Sequence, residues 1–305
     1  MKAEHSPRHL LAFAALVVTM LLWSGNMVVG RALRDDIPAF MLAFCRWSVA
    51  FCVILPFAWR HMIADRAILR GSWKSLLALG LIGVGGFNAF LYTGLHHTTA
   101  TNASLLQAAM PALIILFDGL IFGERPTMRQ ISGVALSTLG VLTIICQGRW
   151  QALMAMHFGI GDILVLCGVV AWSLYTSLLR LRPPCHPLSF LAVTFGIAAV
   201  AMMPLAAIQW DAILAMQWRP PVIGAILYVA LFASVIAYAF FNFAVSEVGA
   251  VRAGQTNNLL PLFGALLAAP LLNEPLHAYH GYGMALIAAG IGVGWLAGML
   301  RTSQP

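Results

Sequence analysis

Polar side chains recur at helical steps inside otherwise apolar stretches of this 305-residue chain. Trp23 and Asn26 are three apart, as are Trp172 and Tyr175, while Asn88, Tyr92 and His96 step by four, as do Tyr238, Asn242 and Ser246. Residues three or four apart share one helix face, so each set forms a stripe of amides, hydroxyls and rings. Gln107 and Asn257 add two more amides, each four residues before a proline, Pro111 and Pro261. These side chains offer no paired carboxylates beside a phosphate site, no Ser-His pair and no metal triad, the constellations bond-making would require. They suit the holding of a small neutral or zwitterionic molecule, with the rings giving stacking surface and the amides fixing orientation. Any one of them could instead bond helix to helix, a contribution averaging about 0.6 kcal/mol within a bilayer. As a group they point to a cavity.

The elements that must position them are membrane spans. The composition is 61% hydrophobic and 9% charged, against roughly 25% charged in soluble domains. Apolar runs of about 20 residues, the length that crosses a hydrocarbon core, recur between short polar breaks near 10–30, 38–58, 76–95, 102–122, 130–147, 159–179, 187–208, 221–244, 253–272 and 279–299. The first is full span length and is read as a helix rather than a cleaved leader. Pro38, Pro126, Pro187 and Pro220 stand near span starts, where a missing N–H costs nothing. Pro111 and Pro261 fall in mid-span and are candidate hinges. Alternating the spans across a bilayer puts twelve Lys and Arg residues on the side of the termini and four on the other, and with Arg46 inside a span these account for all 17. That bias predicts cytoplasmic N- and C-termini. It also explains the net charge of +7 without a nucleic-acid partner. The five cysteines show no CxxC spacing and imply neither disulfides nor zinc.

The chain resembles itself. A shift of 150 sets Pro111 on Pro261, Glu124 on Glu274, Gly133 on Gly283 and Gly140 on Gly290, and a shift of 149 sets Trp23-Ser24 on Trp172-Ser173. Residues 1–150 and 151–305 are therefore read as two five-helix repeats within one transmembrane domain. Five is odd, so the second repeat enters the membrane from the opposite side. The expected fold is an all-α integral membrane protein of ten transmembrane helices in two inverted-topology repeats, with a site between them near the midplane. Under the same shifts Asn26 pairs with Tyr175, Asn88 with Tyr238, Tyr92 with Asn242, His96 with Ser246 and Gln107 with Asn257.

Arg46 breaks the symmetry, because Phe195 takes its place in the second repeat. A charge at that depth costs about 2.5–3.5 kcal/mol on insertion scales, so carboxylate, carbonyls or water must compensate it. It is a candidate for gating or for holding a substrate carboxylate. Asp118 and Asp162 would be proton-coupling groups if buried, although their places near span ends favour bridging roles. Glu124 and Glu274 occupy equivalent loops. His96 and His97 lack a third ligand, so no metal and no cofactor is expected.

The order and spacing of Leu22-Trp23-Ser24-Gly25-Asn26, Ala43-Phe44-Cys45-Arg46, Thr101-Asn102-Ala103-Ser104, Pro111, Gly123-Glu124-Arg125, Gly161-Asp162, Ala171-Trp172-Ser173-Leu174-Tyr175, Pro261 and Asn273-Glu274-Pro275 resemble the EamA-type ten-helix members of the drug/metabolite transporter superfamily. The usual Gly-Ser-Asn order of the first helix stands here as Ser24-Gly25-Asn26. The resemblance implies export of small metabolites across a bacterial inner membrane, with YddG-type exporters of aromatic and other neutral amino acids the nearest group. A small-molecule substrate, surrounding lipid and a proton as coupling ion are the implied partners. Nucleosides or bases and drugs are the alternative cargoes, and a membrane-embedded enzyme or a channel the alternative classes.

Overall fold

A helix buried in hydrocarbon must satisfy its backbone internally, and the computed structural model is built of helices with no strand among the described residues. It describes all residues except 1–6, 34–35, 96, 99, 150, 152–158, 273–275 and 300–305. The first repeat holds α1 (Pro7–Ala32), α2 (Ala39–Ala64), α3 (Trp73–Leu95), α4 (Ala100–Gln107 and Met110–Phe122) and α5 (Met128–Ile145). The second holds α6 (Ile160–Leu178), α7 (Pro187–Ile208), α8 (Pro220–Val248), α9 (Ala250–Gln255 and Leu259–Leu272) and α10 (Ala278–Met299). All ten expected spans are thus helical. The protein is an all-α membrane protein of two inverted five-helix repeats. Below, the terminal end is the one where α1 begins, and the distal end is the opposite one.

Local chemistry fixes the helix ends. Thr127 and Gln130 form a reciprocal capping box at the start of α5. The Asp162 carboxylate accepts from the Gly159 N–H at 2.7 Å at the start of α6. Pro187 and Pro220 open α7 and α8. Gly249, at φ +85° and ψ 161°, joins α8 to α9 in one residue, a conformation open only to glycine. Exposed Trp59 and Trp73 near the terminal end, and Trp210 and Trp218 near the distal end, suit the two membrane–water interfaces.

Two departures from straight α-helix recur in both repeats. Gly80–Gly86 in α3 and Leu231–Ile236 in α8 are π turns at equivalent positions. In α4 and α9 the mid-span prolines do more than kink a continuous helix. Each stands in the first turns of a new segment, after a break at 108–109 in α4 and after the 3-10 turn Thr256–Asn258 in α9, where its absent N–H breaks no ladder.

The repeats interlock through small residues. A Cβ on Gly133 would lie 2.7 Å from the Gly290 carbonyl, and one on Gly140 2.6 Å from that of Gly283. The 150-residue shift converts the first contact into the second, so α5 and α10 cross on a pseudo-twofold axis. Glycine is what lets them approach so closely. At the terminal end, Asp65 accepts from the His186 N–H at 2.8 Å and His61 stacks on His186 at 3.6 Å, joining the end of α2 to the start of α7. The nearby Ser189 side chain and the bond from the His186 backbone N–H hold the Asp65 carboxyl below its ordinary range.

Gly140→Leu and Gly283→Leu should each force α5 from α10 and destabilise the protein by about 1–3 kcal/mol, seen as a lowered melting temperature in detergent. Gly224→Ala, at a position with nothing within 4 Å of the added Cβ, is the control and should melt at or slightly above the parent temperature.

Candidate functional site

A cavity of about 1530 Å³ enters from the distal end, past Asp36, Gln147, Gln209 and His277, and reaches the middle of the bundle. Among the described residues its lining includes none from the loops of the terminal end. Among the described residues the cavity therefore opens at the distal end. Its floor is a cluster of rings from α1, α6 and α8: Trp23 meets Trp172 edge-on with centroids 5.0 Å apart, and Tyr238 and Phe241 at 5.7 and 5.3 Å. Edge-to-face contact of this kind is the favoured geometry for aromatic pairs.

Seven of the nine side chains singled out as a binding set line this cavity: Trp23, Asn26, Tyr92, Gln107, Trp172, Tyr238 and Asn257. The other two, Tyr175 and Asn242, are absent from its wall. They are buried, at 0% and 5% exposure, and the Tyr175 hydroxyl donates to Asn242 Oδ1 at 3.0 Å. Both neighbour the floor, since Tyr175 packs against Trp172 and Tyr238. Gln107 Nε2 donates back to the Ala103 carbonyl at 3.3 Å. Ser246 is exposed and bonds only its own helix, while His96 and Glu274 lie outside the described residues.

The serines beside the two tryptophans obey the repeat. Ser24 Oγ donates to the Leu260 carbonyl at 3.0 Å, and its equivalent Ser173 to the Met110 carbonyl at 3.4 Å. Each acceptor immediately precedes one of the mid-span prolines. The broken helices α9 and α4 are thereby tied to α1 and α6 at the level of the cavity.

Arg46, 3% exposed, reaches the cavity from α2. Its Nε donates to Ser234 Oγ at 2.6 Å, Nη2 to the Ala233 carbonyl at 2.9 Å and Nη1 to Asn88 Oδ1 at 3.5 Å. The guanidinium also lies 4.5 Å from the Trp47 ring centroid, near enough for a cation–π contact. Carbonyl and neutral side chains thus hold it, and among the described residues no carboxylate pairs with it. The Ala233 carbonyl accepts from Trp23 Nε1 as well, at 2.9 Å. Ala233 and Ser234 sit in the π turn of α8. Sequence reading passed over both, because an alanine and a serine in an apolar run carry no signal. The signal that could have found them was the need of Arg46 for acceptors.

Asp118 and Asp162 are both buried, and both make the bridging contacts that span ends favour. Asp118, 1% exposed, accepts from Arg180 Nη2 at 3.0 Å, and Arg180 Nη1 bonds Glu124 at 3.0 Å. This cluster staples α4 to α6 at the terminal end. Asp162 takes a bond from the Thr98 hydroxyl at 2.5 Å besides capping α6.

Comparison with known proteins agrees in kind with this architecture. The family described as EamA-like transporter family matches the chain twice, over residues 10–146 and 159–294. An uncharacterized transporter of Archaeoglobus fulgidus is 29% identical over 94% of this chain and 96% of its own length. The uncharacterized transporter YyaM of Bacillus subtilis is 29% identical over 73% of each. A solved crystal structure covering 98% of this chain and 99% of its own superimposes with a TM-score of 0.75 at 20% identity, a likeness of fold.

Arg180→Ala should leave Asp118 buried and unpaired, at a cost of about 3 kcal/mol, and should loosen α6 from α4 so that thiol reagents reach an introduced Ser177→Cys, a buried α6 position whose hydroxyl bonds the Ile114 carbonyl of α4 at 3.4 Å. Glu124→Ala, removing an exposed partner, should change stability by less than about 1 kcal/mol. Thermal melting and labelling rates in detergent measure both.

Proposed function

The chain belongs to the EamA-like transporter family, and on that premise we propose that it is a secondary transporter exporting small metabolites, foremost neutral and aromatic amino acids, by alternating access. It would sit in a bacterial inner membrane with the terminal end in the cytoplasm, as the Lys and Arg bias argues. The observation that carries the reading is the one-sided cavity. It ends at mid-bundle on Trp23, Trp172 and Tyr238 and is lined by the amides of Asn26, Asn88 and Gln107. Its volume exceeds the roughly 300–1,000 Å³ of ordinary ligand sites, so the wide distal part serves as a vestibule and the deep aromatic part as the site. Rings and neutral amides suit a side chain such as that of phenylalanine or methionine.

The repeat supplies a latch for alternating access. The Tyr175–Asn242 bond lies below the floor on the closed side. Its repeat equivalents are Asn26 and Tyr92, which both face the open cavity and make no bond to each other. Exchange of conformations between the halves would join Asn26 to Tyr92 and part Tyr175 from Asn242, closing the distal side and opening the other. Donor and acceptor swap residues, but the bond is the same.

Purified protein in liposomes should support counterflow of labelled phenylalanine, methionine or threonine, and absence of counterflow with all three would overturn the amino acid reading. For the latch, Tyr175→Phe removes one hydrogen bond worth about 1 kcal/mol and should shift the population roughly fivefold toward the distal-closed form. In a background freed of the native cysteines, this would appear as faster cross-linking of Asn26→Cys to Tyr92→Cys. An unchanged rate would remove the latch from the mechanism.

A further inference from the structure

The geometry points to Arg46 as the anchor for a substrate carboxylate, which makes the cavity selective for organic monocarboxylates, zwitterionic amino acids included. The inference builds on the transporter reading and names the charge its cargo must carry.

The first observation is a buried cation with no carboxylate paired to it among the described residues. Arg46 is 3% exposed, yet its hydrogen-bond partners are a hydroxyl, an amide oxygen and a backbone carbonyl. A buried guanidinium normally has a carboxylate beside it. The nearest candidate on the cavity wall among the described residues, Asp36, is engaged at the mouth by Arg219 at 2.7 Å. The distal Asp162 is occupied with Thr98 and Gly159. Asp118 is taken by Arg180 at the terminal end.

The second observation is the way Arg46 is held. Ser234, Ala233 and Asn88 engage each of its three nitrogens once. Each terminal nitrogen keeps a second N–H. The guanidinium is therefore fixed from behind by α8 and α3 while it borders the cavity. A fixed planar fork with free N–H groups matches a carboxylate.

Position sets the rest of the ligand. The Ala233 carbonyl that takes Nη2 also takes the Trp23 indole N–H, so the charge and the aromatic floor are one constellation. A molecule with its carboxylate on Arg46 has Trp23 and Tyr238 beside it for its apolar part. A single cation suits a monoanion. A phosphate ester, with more charge, would ask for further cations, and the only other described arginine on the wall is Arg219, already paired with Asp36.

The second repeat lends the contrast. Phe195 stands where a symmetric arginine would be and packs on Trp47 and Tyr238. The second repeat thus adds no symmetric partner to Arg46.

Binding to the purified full chain, followed by thermal shift and isothermal titration, tests this with phenylalanine, phenylalaninol, 3-phenylpropionate and 3-phenylpropionamide. Each acid should bind at least about tenfold tighter than the partner that lacks its carboxylate, as expected for one charge-assisted pair. Arg46→Gln should erase that ratio. Equal affinity for 3-phenylpropionate and its amide in the parent protein would overturn the proposal whether or not the variant folds. So would stabilisation by chloride alone equal to that by the acids. Failure of both amino compounds, with 3-phenylpropionate still preferred over its amide, would refute the amino acid reading and leave the anchor standing.

Discussion

The carbonyl oxygen of Ala233 is the point on which the centre of the molecule depends. It accepts from the Trp23 indole of α1 and the Arg46 guanidinium of α2 at 2.9 Å each. It can do so because it lies in a π turn, where the backbone is wider than in a regular α-helix and such insertions recur at functional sites. One oxygen on α8 thus holds the floor and the deep charge of the cavity together. Within a bilayer no water competes for these bonds outside the cavity, so the protein itself must supply acceptors for the guanidinium N–H groups that face away from the cavity.

The two halves share a plan and differ where the difference has consequences. Ser24 and Ser173 make equivalent bonds to the carbonyls ahead of Pro261 and Pro111, and Gly133·Gly290 mirrors Gly140·Gly283. At the π turns the symmetry stops. Trp23 Nε1 bonds Ala233 in α8, whereas the equivalent Gly83 of α3 lies beneath the Tyr175 ring, close enough that any Cβ there would collide with it. That close packing belongs to the closed side, and the shared carbonyl belongs to the open one. The asymmetry of side chains therefore tracks the asymmetry of conformation.

The sequence made the spans legible because hydrocarbon imposes a length and a composition, and it made the pairing legible because the halves still share Trp, Pro, Gly and Glu at fixed shifts. It placed seven of the nine binding candidates on the wall, since polar stripes in spans avoid lipid. Tyr175 and Asn242 it placed on the right helices but not at the right depth, for a stripe gives a face and says nothing of which level is open. The π turns left no mark in hydropathy. Ala233 was invisible because its contribution is a backbone oxygen. The breaks at Gln107–Met110 and Thr256–Asn258 were foreshadowed by Pro111 and Pro261, but proline alone does not distinguish a kink from a new start.

A fixed cation at the base of a cavity also bears on how cargo and conformation are linked. Closing the cavity around the guanidinium without a counter-charge would remove the remaining water from the N–H groups that face it, and burying a charge without a partner of opposite sign is costly. Closing it around a guanidinium already paired with a carboxylate removes a neutral unit. A ligand moves a conformational equilibrium only by its difference in affinity for the two states. If Arg46 anchors the cargo as proposed, a carboxylate would supply that difference by itself: the loaded form would pass through the occluded state more readily than the empty one, which would favour exchange over unladen return.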